Sequence, residues 1–161
     1  MSSLLVLWTG RRGDPAAETL AADYLRRINR GVPCGDLRLR PAEGRGGDSS
    51  RVLALEADAI RRHLRPSDHV VALDEGGPQR TSEDLARWLE LRLRGERTVF
   101  VIGSDLGLDG TLLAQCAERL ALSRLTFPHQ LARVLLLEQL YRGLDMLAGG
   151  GYHRGRGPGV V

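Results

Sequence analysis

Lysine is absent from this chain, and all 23 basic residues are arginine. Its cationic side-chain contacts, histidine aside, are therefore made by planar, permanently charged guanidiniums, a shape that suits phosphate pairing and base stacking. A GC-rich coding sequence accounts for the bias itself, so the absence says how cations act here and not what they bind. Cysteine is scarce: Cys34 and Cys116 lie far apart, neither sits in a CxxC pair, and no grouping with the four histidines has zinc-ligand spacing. Two small buried thiols are expected, with no disulfide and no metal. Aromatic residues are few, two Phe, two Trp and three Tyr, which leaves little for stacking on bases. No apolar run approaches the roughly 20 residues of a membrane helix. Met1 to Trp8 runs straight into Leu4-Leu5-Val6-Leu7-Trp8 with no basic leader or small-residue cleavage site. The expectation is a cytoplasmic protein without a signal peptide or membrane contact.

What is present fits a globular chain. The 161 residues are 42% hydrophobic, enough for one domain with a real core. The net charge of +3 suits nucleic-acid contact without establishing it.

Short apolar runs alternate with helical periodicity. Leu4–Trp8 reads as a strand, and Asp14-Pro15 caps a helix with Ala17, Leu20, Ala21, Tyr24, Leu25 and Ile28 on its apolar face. Asp36–Arg40 reads as a second strand, and the glycine-rich stretch from Pro41 to Ser50 as a mobile loop. Ser49 or Ser50 is expected to cap a helix with the stripe Leu53, Ala57, Ile60 and Leu64. His69–Asp74 is a third strand, and Thr81-Ser82-Glu83-Asp84 opens the next helix. Thr98–Ile102 is a fourth strand. A short helix with Leu113, Cys116, Ala117 and Leu120 on one stripe follows, then a fifth strand over Leu122–Phe127. The last helix, Leu131–Leu147, is apolar around most of its axis, which points to burial against a second subunit as well as its own sheet. Strands alternating with helices define an α/β fold with a mainly parallel sheet. One domain over residues 1–154 is expected, with 155–161 as a flexible glycine-rich tail.

Ligands of open α/β sheets bind outside the carboxyl ends of strands. Three such ends stand out: Leu73-Asp74-Glu75-Gly76-Gly77, Gly103-Ser104-Asp105-Leu106-Gly107 and the run Leu122 to His129. No GxxxxGK[ST] occurs, so a P-loop is excluded, and neither glycine turn is GxGxxG, so an ordinary dinucleotide site is not expected.

The motif Pro128-His129-Gln130-Leu131-Ala132-Arg133, followed by Glu138-Gln139-Leu140-Tyr141-Arg142 and Tyr152-His153-Arg154, resembles the C-terminal signature of the RlmH family. The turns at Leu73-Asp74-Glu75 and Ile102–Gly107 match in the same order, and the resemblance spans Leu4 to about Arg154. These are SPOUT-class methyltransferases that modify N3 of a pseudouridine in 23S large-subunit rRNA. The resemblance implies a C-terminal trefoil knot, a homodimer, the ribosome as partner, and S-adenosylmethionine as cofactor. The cofactor pocket is then expected to use Leu73, Gly103, Leu122, Ser123, Arg124, Leu125, Thr126 and Phe127. Departures from the pattern are Ser104 where a second glycine is usual, an arginine missing from the Asp74–Gly77 turn, and Gly149-Gly150-Gly151 ahead of Tyr152.

Pseudouridine N3 holds a proton between two carbonyls, and that proton must leave before the nitrogen can attack a methyl group. Alignment supplies roughly 7–11 kcal/mol of such a barrier, against about 100- to 10,000-fold from a positioned base. The expected chemistry assigns His153 as proton acceptor, with Arg142 or Arg154 stabilising the anion, and Arg133 and Tyr152 contacting RNA. His129 is expected to orient the last helix, and His63 and His69 to be structural. Arg11, Arg12, Arg26, Arg27 and Arg30 are expected to meet phosphate. The alternatives are a SPOUT enzyme acting on another RNA base, or a non-catalytic ribosome-binding protein.

Overall fold

A computed structural model describes residues 2–44 and 47–153. Arg154, the tail 155–161 and part of the Pro41–Ser50 loop lie outside the described residues. Five strands, β1 (Leu4–Thr9), β2 (Cys34–Leu39), β3 (His69–Leu73), β4 (Thr98–Ile102) and β5 (Glu118–Leu120), form one parallel sheet in the order β2-β1-β4-β3-β5. Five helices connect or follow them: α1 (Pro15–Ile28), α2 (Ser49–Arg61), α3 (Ser82–Arg92), α4 (Gly110–Gln115) and α5 (His129–Leu147).

Period-two alternation sorts the strand side chains between two cores. Leu4, Val6 and Trp8 of β1 and Phe100 and Ile102 of β4 face one side, where α1, α3 and α5 cover them. Leu7, Val99 and Val101 face the other, against Ala57 and Ile60 of α2 and Leu112 of α4. All five residues of β4 are buried because it has helices on both faces and strands on both edges. Among the described residues no helix is long and apolar enough to cross a membrane.

The helix starts follow their caps. The Asp14 carboxylate accepts from Ala16 N–H at 2.7 Å, with Pro15 beginning the helix. Thr81 accepts from Asp84 N–H at 3.0 Å, and Asp109 from Thr111 and Leu112 at 3.0 and 3.1 Å.

Several boundaries differ from the sequence expectation. Asp48, not Ser49 or Ser50, caps α2. Helix α4 ends at Gln115, so Cys116, Ala117 and Leu120 lie beyond it, with Leu120 in β5. The fifth strand is Glu118–Leu120, while Leu122–Phe127 is irregular. In that run Leu122, Leu125 and Phe127 line a cavity rather than enter the sheet. Cys34 is buried, and burial followed by the nearby Asp36 charge pushes its thiol up to about 12, an inert form. Cys116 is only half-buried.

Candidate active site

A cavity of about 580 Å³ opens at the carboxyl ends of β3, β4 and β5, within the range of small-molecule sites. Leu73, Ile102 and Leu120 line it from the strands, Gly103–Leu108 from the turn after β4, and Leu122, Ser123 and Leu125–Phe127 from the run after β5. His129 and Ala132 at the start of α5 complete the lining.

The turn after β4 is tight. Gly107 takes φ 81°, and its N–H donates to the Ser104 carbonyl at 2.8 Å. A Cβ at Gly103 would lie 2.3 Å from the Gly107 carbonyl oxygen, so no larger residue fits without moving backbone. Glu56 of α2, 4% exposed, supports this turn from beneath. Its carboxylate accepts from Ser104 Oγ at 2.8 Å and from Ala42 N–H at 3.1 Å. The serine that departs from the usual glycine thus anchors the turn to α2 and to the segment after β2.

Among the described residues the charged side chains in the cavity lining, His129 aside, are the carboxylates of Asp74, Glu75 and Asp105, and none is an arginine. Glu75 accepts from Thr126 Oγ1, and Asp105 meets His129 Nδ1 at 2.9 Å. The His129 ring stacks on Trp8 with centroids 6.0 Å apart. Apolar walls and carboxylates together suit a ligand with a flat apolar part and a positive charge.

Seven of the eight residues assigned to the cofactor line this cavity: Leu73, Gly103, Leu122, Ser123, Leu125, Thr126 and Phe127. Leu125, at 71% exposure, forms its lip. Arg124 does not line it; its Nε donates to Gln79 Oε1 at 3.3 Å.

The residues assigned to chemistry and RNA gather elsewhere. Arg133 is corrected outright. Its guanidinium is buried, donates to Glu18 of α1 at 2.8 Å and to Asp36 of β2, and lies 4.5 Å from the Trp8 ring centre. Burial opposes its charge, but the bonds to Asp36 and then Glu18 outweigh that and raise its pKa. Arg133 therefore ties α5 to α1 and β2 and cannot reach a phosphate.

Arg142 is likewise occupied within its own chain, and Tyr152, half-buried, is occupied on one face. Arg142 is 8% exposed and donates to Glu138 through Nε at 3.0 Å, so it holds structure rather than a substrate oxygen. Its guanidinium lies 4.8 Å from the Tyr152 ring centre, and the Tyr141 ring meets that ring edge-on. The Tyr152 hydroxyl donates to Glu138 at 3.1 Å and lies 3.3 Å from the Tyr24 hydroxyl. Burial, then the Tyr24 bond and the Glu138 charge, hold this phenol protonated. A base therefore cannot stack on the face that Arg142 covers.

His153 Nε2 lies 2.9 Å from Glu83 Oε1, and Nδ1 lies 3.4 Å from Arg142. An Nε2–H donating to Glu83 leaves Nδ1 as the acceptor of the Arg142 N–H. None of Arg142, Tyr152 and His153 lines the cavity of its own chain.

Two contributors escaped the sequence reading: Glu56 and the clamp on Arg133. Glu56 had a signal, since a carboxylate four residues from both Val52 and Ile60 interrupts an apolar stripe. The partners of Arg133 had none.

The fold and cavity define an α/β protein with a small-molecule-sized cavity at the carboxyl edge of a parallel sheet. The sequence pattern of the family described as "Predicted SPOUT methyltransferase" matches residues 3–153, and the chain belongs to that family. Its relatives are named more narrowly. It is 42% identical over 146 residues to the Ribosomal RNA large subunit methyltransferase H of Gloeobacter violaceus, covering 91% of this chain and 95% of that protein. The protein of the same name from Solidesulfovibrio magneticus is 39% identical over 155 residues, covering 95% of this chain and 99% of the relative. That from Thiobacillus denitrificans is 43% identical over 140 residues, covering 83% and 86%.

Proposed function

We propose that this chain methylates N3 of a pseudouridine in 23S large-subunit rRNA, on assembled ribosomes, as a homodimer using S-adenosylmethionine. The observation that carries the proposal is the cavity itself. Its apolar walls and three carboxylates sit at the strand ends of a chain matched along its length by large-subunit rRNA methyltransferases.

The lining fits the cofactor's chemistry. Leu73 and Phe127 offer apolar surface for adenine, and Gly103 lets backbone groups approach closely. Glu75 and Asp105 favour a cation and disfavour an anion, while Asp74 is shared with the Arg119 guanidinium at 3.4 Å. When bound, the cofactor supplies an electrophilic methyl on a sulfonium. The protein's remaining tasks are to hold the imide nitrogen in line with that methyl, exclude water and accept the N3 proton. Bound there, S-adenosylmethionine would supply the methyl to N3 and depart as the thioether, S-adenosylhomocysteine, while the N3 proton would go to an acceptor on this protein.

His153 is the proposed acceptor through Nδ1, which would exchange its long 3.4 Å contact with Arg142 for the N3 proton, with Arg154 next in sequence and Arg142 as the buried strut that positions the Tyr152-His153 pair. Because neither Tyr152 nor His153 lines the cavity of its own chain, we assign this segment to the cavity of the second copy. Exposed leucines on α5 support a dimer: Leu131 at 50% and Leu135 at 39%, one helical turn apart. The trefoil knot belongs to the same proposal, supported by α5 packing between α1 and α3 directly after the cavity wall. Light scattering at micromolar concentration is expected to give a dimer mass, and a monomer contradicts the shared site.

Expression in a bacterium whose 23S rRNA lacks the methyl group tests the activity. Nucleoside mass spectrometry is expected to recover a singly methylated pseudouridine. A methylated nucleoside other than pseudouridine, or none, contradicts the assignment.

A further inference from the structure

We infer that the turn after β1, from Gly10 to Gly13, is the RNA-phosphate-binding edge of the active site, with Arg11 and Arg12 as its contact groups and Arg40 beside them. This rests on the function proposed above and assigns to particular residues how the RNA backbone is held.

The parallel sheet places the carboxyl ends of β1 and β2 on the same edge as the cavity. β1 pairs with β4 as far as Trp8 opposite Ile102, so the chain leaving β1 runs beside the chain leaving β4 at Gly103. Gly10 packs so closely on His129 that a Cβ there would lie 2.4 Å from its Nε2, and His129 lines the cavity. Arg11 therefore follows a residue already in contact with the cavity wall.

The turn is also clamped. Gly10 N–H donates to the Leu39 carbonyl at 3.0 Å, and Arg38 donates to the Gly10 carbonyl at 3.0 Å. Asp14 N–H donates to Gln130 Oε1 at 3.1 Å, and Gly13 lies against the same glutamine side chain. Arg11 and Arg12 are exposed on this fixed support. A fixed backbone loses less freedom when its side chains meet a phosphate than a loose loop does.

Among the described residues exposed Arg30, Arg51, Arg62, Arg65 and Arg124 are as free of ion pairs as Arg11, Arg12 and Arg40, so position at the β1–β2 end of the cavity edge sets these three apart, while other surface arginines are paired. Arg26 and Arg27 share Asp23, Arg87 pairs with Asp84 and Arg94 with Glu90. Arg11, Arg12 and Arg40 form no ion pair with any described residue. Arg26, Arg27 and Arg30 lie at the far end of α1, which runs 14 residues, about 21 Å, away from the cavity edge of their own chain. Carboxylates inside the cavity and unpaired guanidiniums on its rim divide the work. The rim takes the polyanionic backbone, and the cavity takes the cationic cofactor.

Arg11→Gln/Arg12→Gln, tested on the full chain with ribosomes lacking the modification, separates the possibilities. KM for ribosomes is expected to rise about tenfold, with kcat within about twofold. The slope of log affinity against log salt is expected to fall by about 1 per arginine. The affinity for S-adenosylmethionine should not change. The exposed pair Arg87→Gln/Arg94→Gln, on α3 and just past its end, carries the same charge loss and is expected to leave KM and slope as in the wild type. A wild-type salt slope and KM in the first variant, or an equal loss in the second, overturns the edge while leaving the methyltransferase proposal standing. A wild-type chain that neither binds nor methylates ribosomes overturns both.

Discussion

Gly103→Val is expected to abolish S-adenosylmethionine binding while leaving the chain folded. A Cβ at this position would lie 2.3 Å from the Gly107 carbonyl oxygen and 2.5 Å from its carbon, both backbone atoms. These cannot rotate away as a side-chain tip can. The turn from Ser104 to Gly107 must move instead, yet it is held by the Ser104–Gly107 hydrogen bond and by Ser104 on buried Glu56. Overpacking of this kind costs about 1–3 kcal/mol of stability. The larger effect falls on the ligand, because the displaced turn is the cavity's own lining. Calorimetric titration should show affinity reduced at least about 100-fold, equivalent to roughly 2.8 kcal/mol. Gly103→Ala should give a smaller loss in the same direction. Wild-type affinity in a folded Gly103→Val chain would place the cofactor elsewhere.

Arg133→Met should produce the largest loss of stability. Its guanidinium is 5% exposed as a side chain, while Asp36, at 9%, has almost no access to water. Removing the cation leaves Asp36 charged and without this partner, a situation that costs about 3–5 kcal/mol for a buried pair. Glu18 is 43% exposed and can turn to solvent, so it adds little. The melting temperature is expected to fall by roughly 6–20 °C for a chain of this size. Arg133→Met/Asp36→Asn removes the stranded charge and should recover part of the loss. No fall in the single variant, or no recovery in the double, would mean that this pair does not hold α5 in place. The consequence extends to function, because His129, four residues earlier on α5, lines the cavity.

Much of this fold is legible in the residues. β4 was bounded correctly by its apolar run Thr98–Ile102, and Asp14-Pro15 and Thr81 mark helix starts through local chemistry. The fifth strand misleads for a physical reason. Glu118–Leu120 is short and polar, paired only with β3 at the sheet's edge, so it carries no period-two signal. Leu122, Leu125 and Phe127 carry apolar side chains because they line a ligand cavity, and a cavity wall can read like a strand.

The site divides in the same way. Strand-end glycines and the family signature locate the cavity, because its lining comes from three continuous stretches. Charge partnerships do not announce themselves. Arg133 meets Asp36 and Glu18 across 97 and 115 positions, and no local pattern links them. The signature motif marks Arg133 and Arg142, yet the fold uses both as buried struts. A pattern of residues identifies the family well and the division of labour among its members poorly.

Methyl transfer from labelled S-adenosylmethionine to assembled ribosomes lacking the modification tests the central claim most directly. Free rRNA and ribosomes carrying uridine in place of the pseudouridine serve as controls. Label is expected in the pseudouridine of assembled ribosomes and in neither control. Absence of label there, in a chain that binds S-adenosylmethionine, contradicts the proposed substrate.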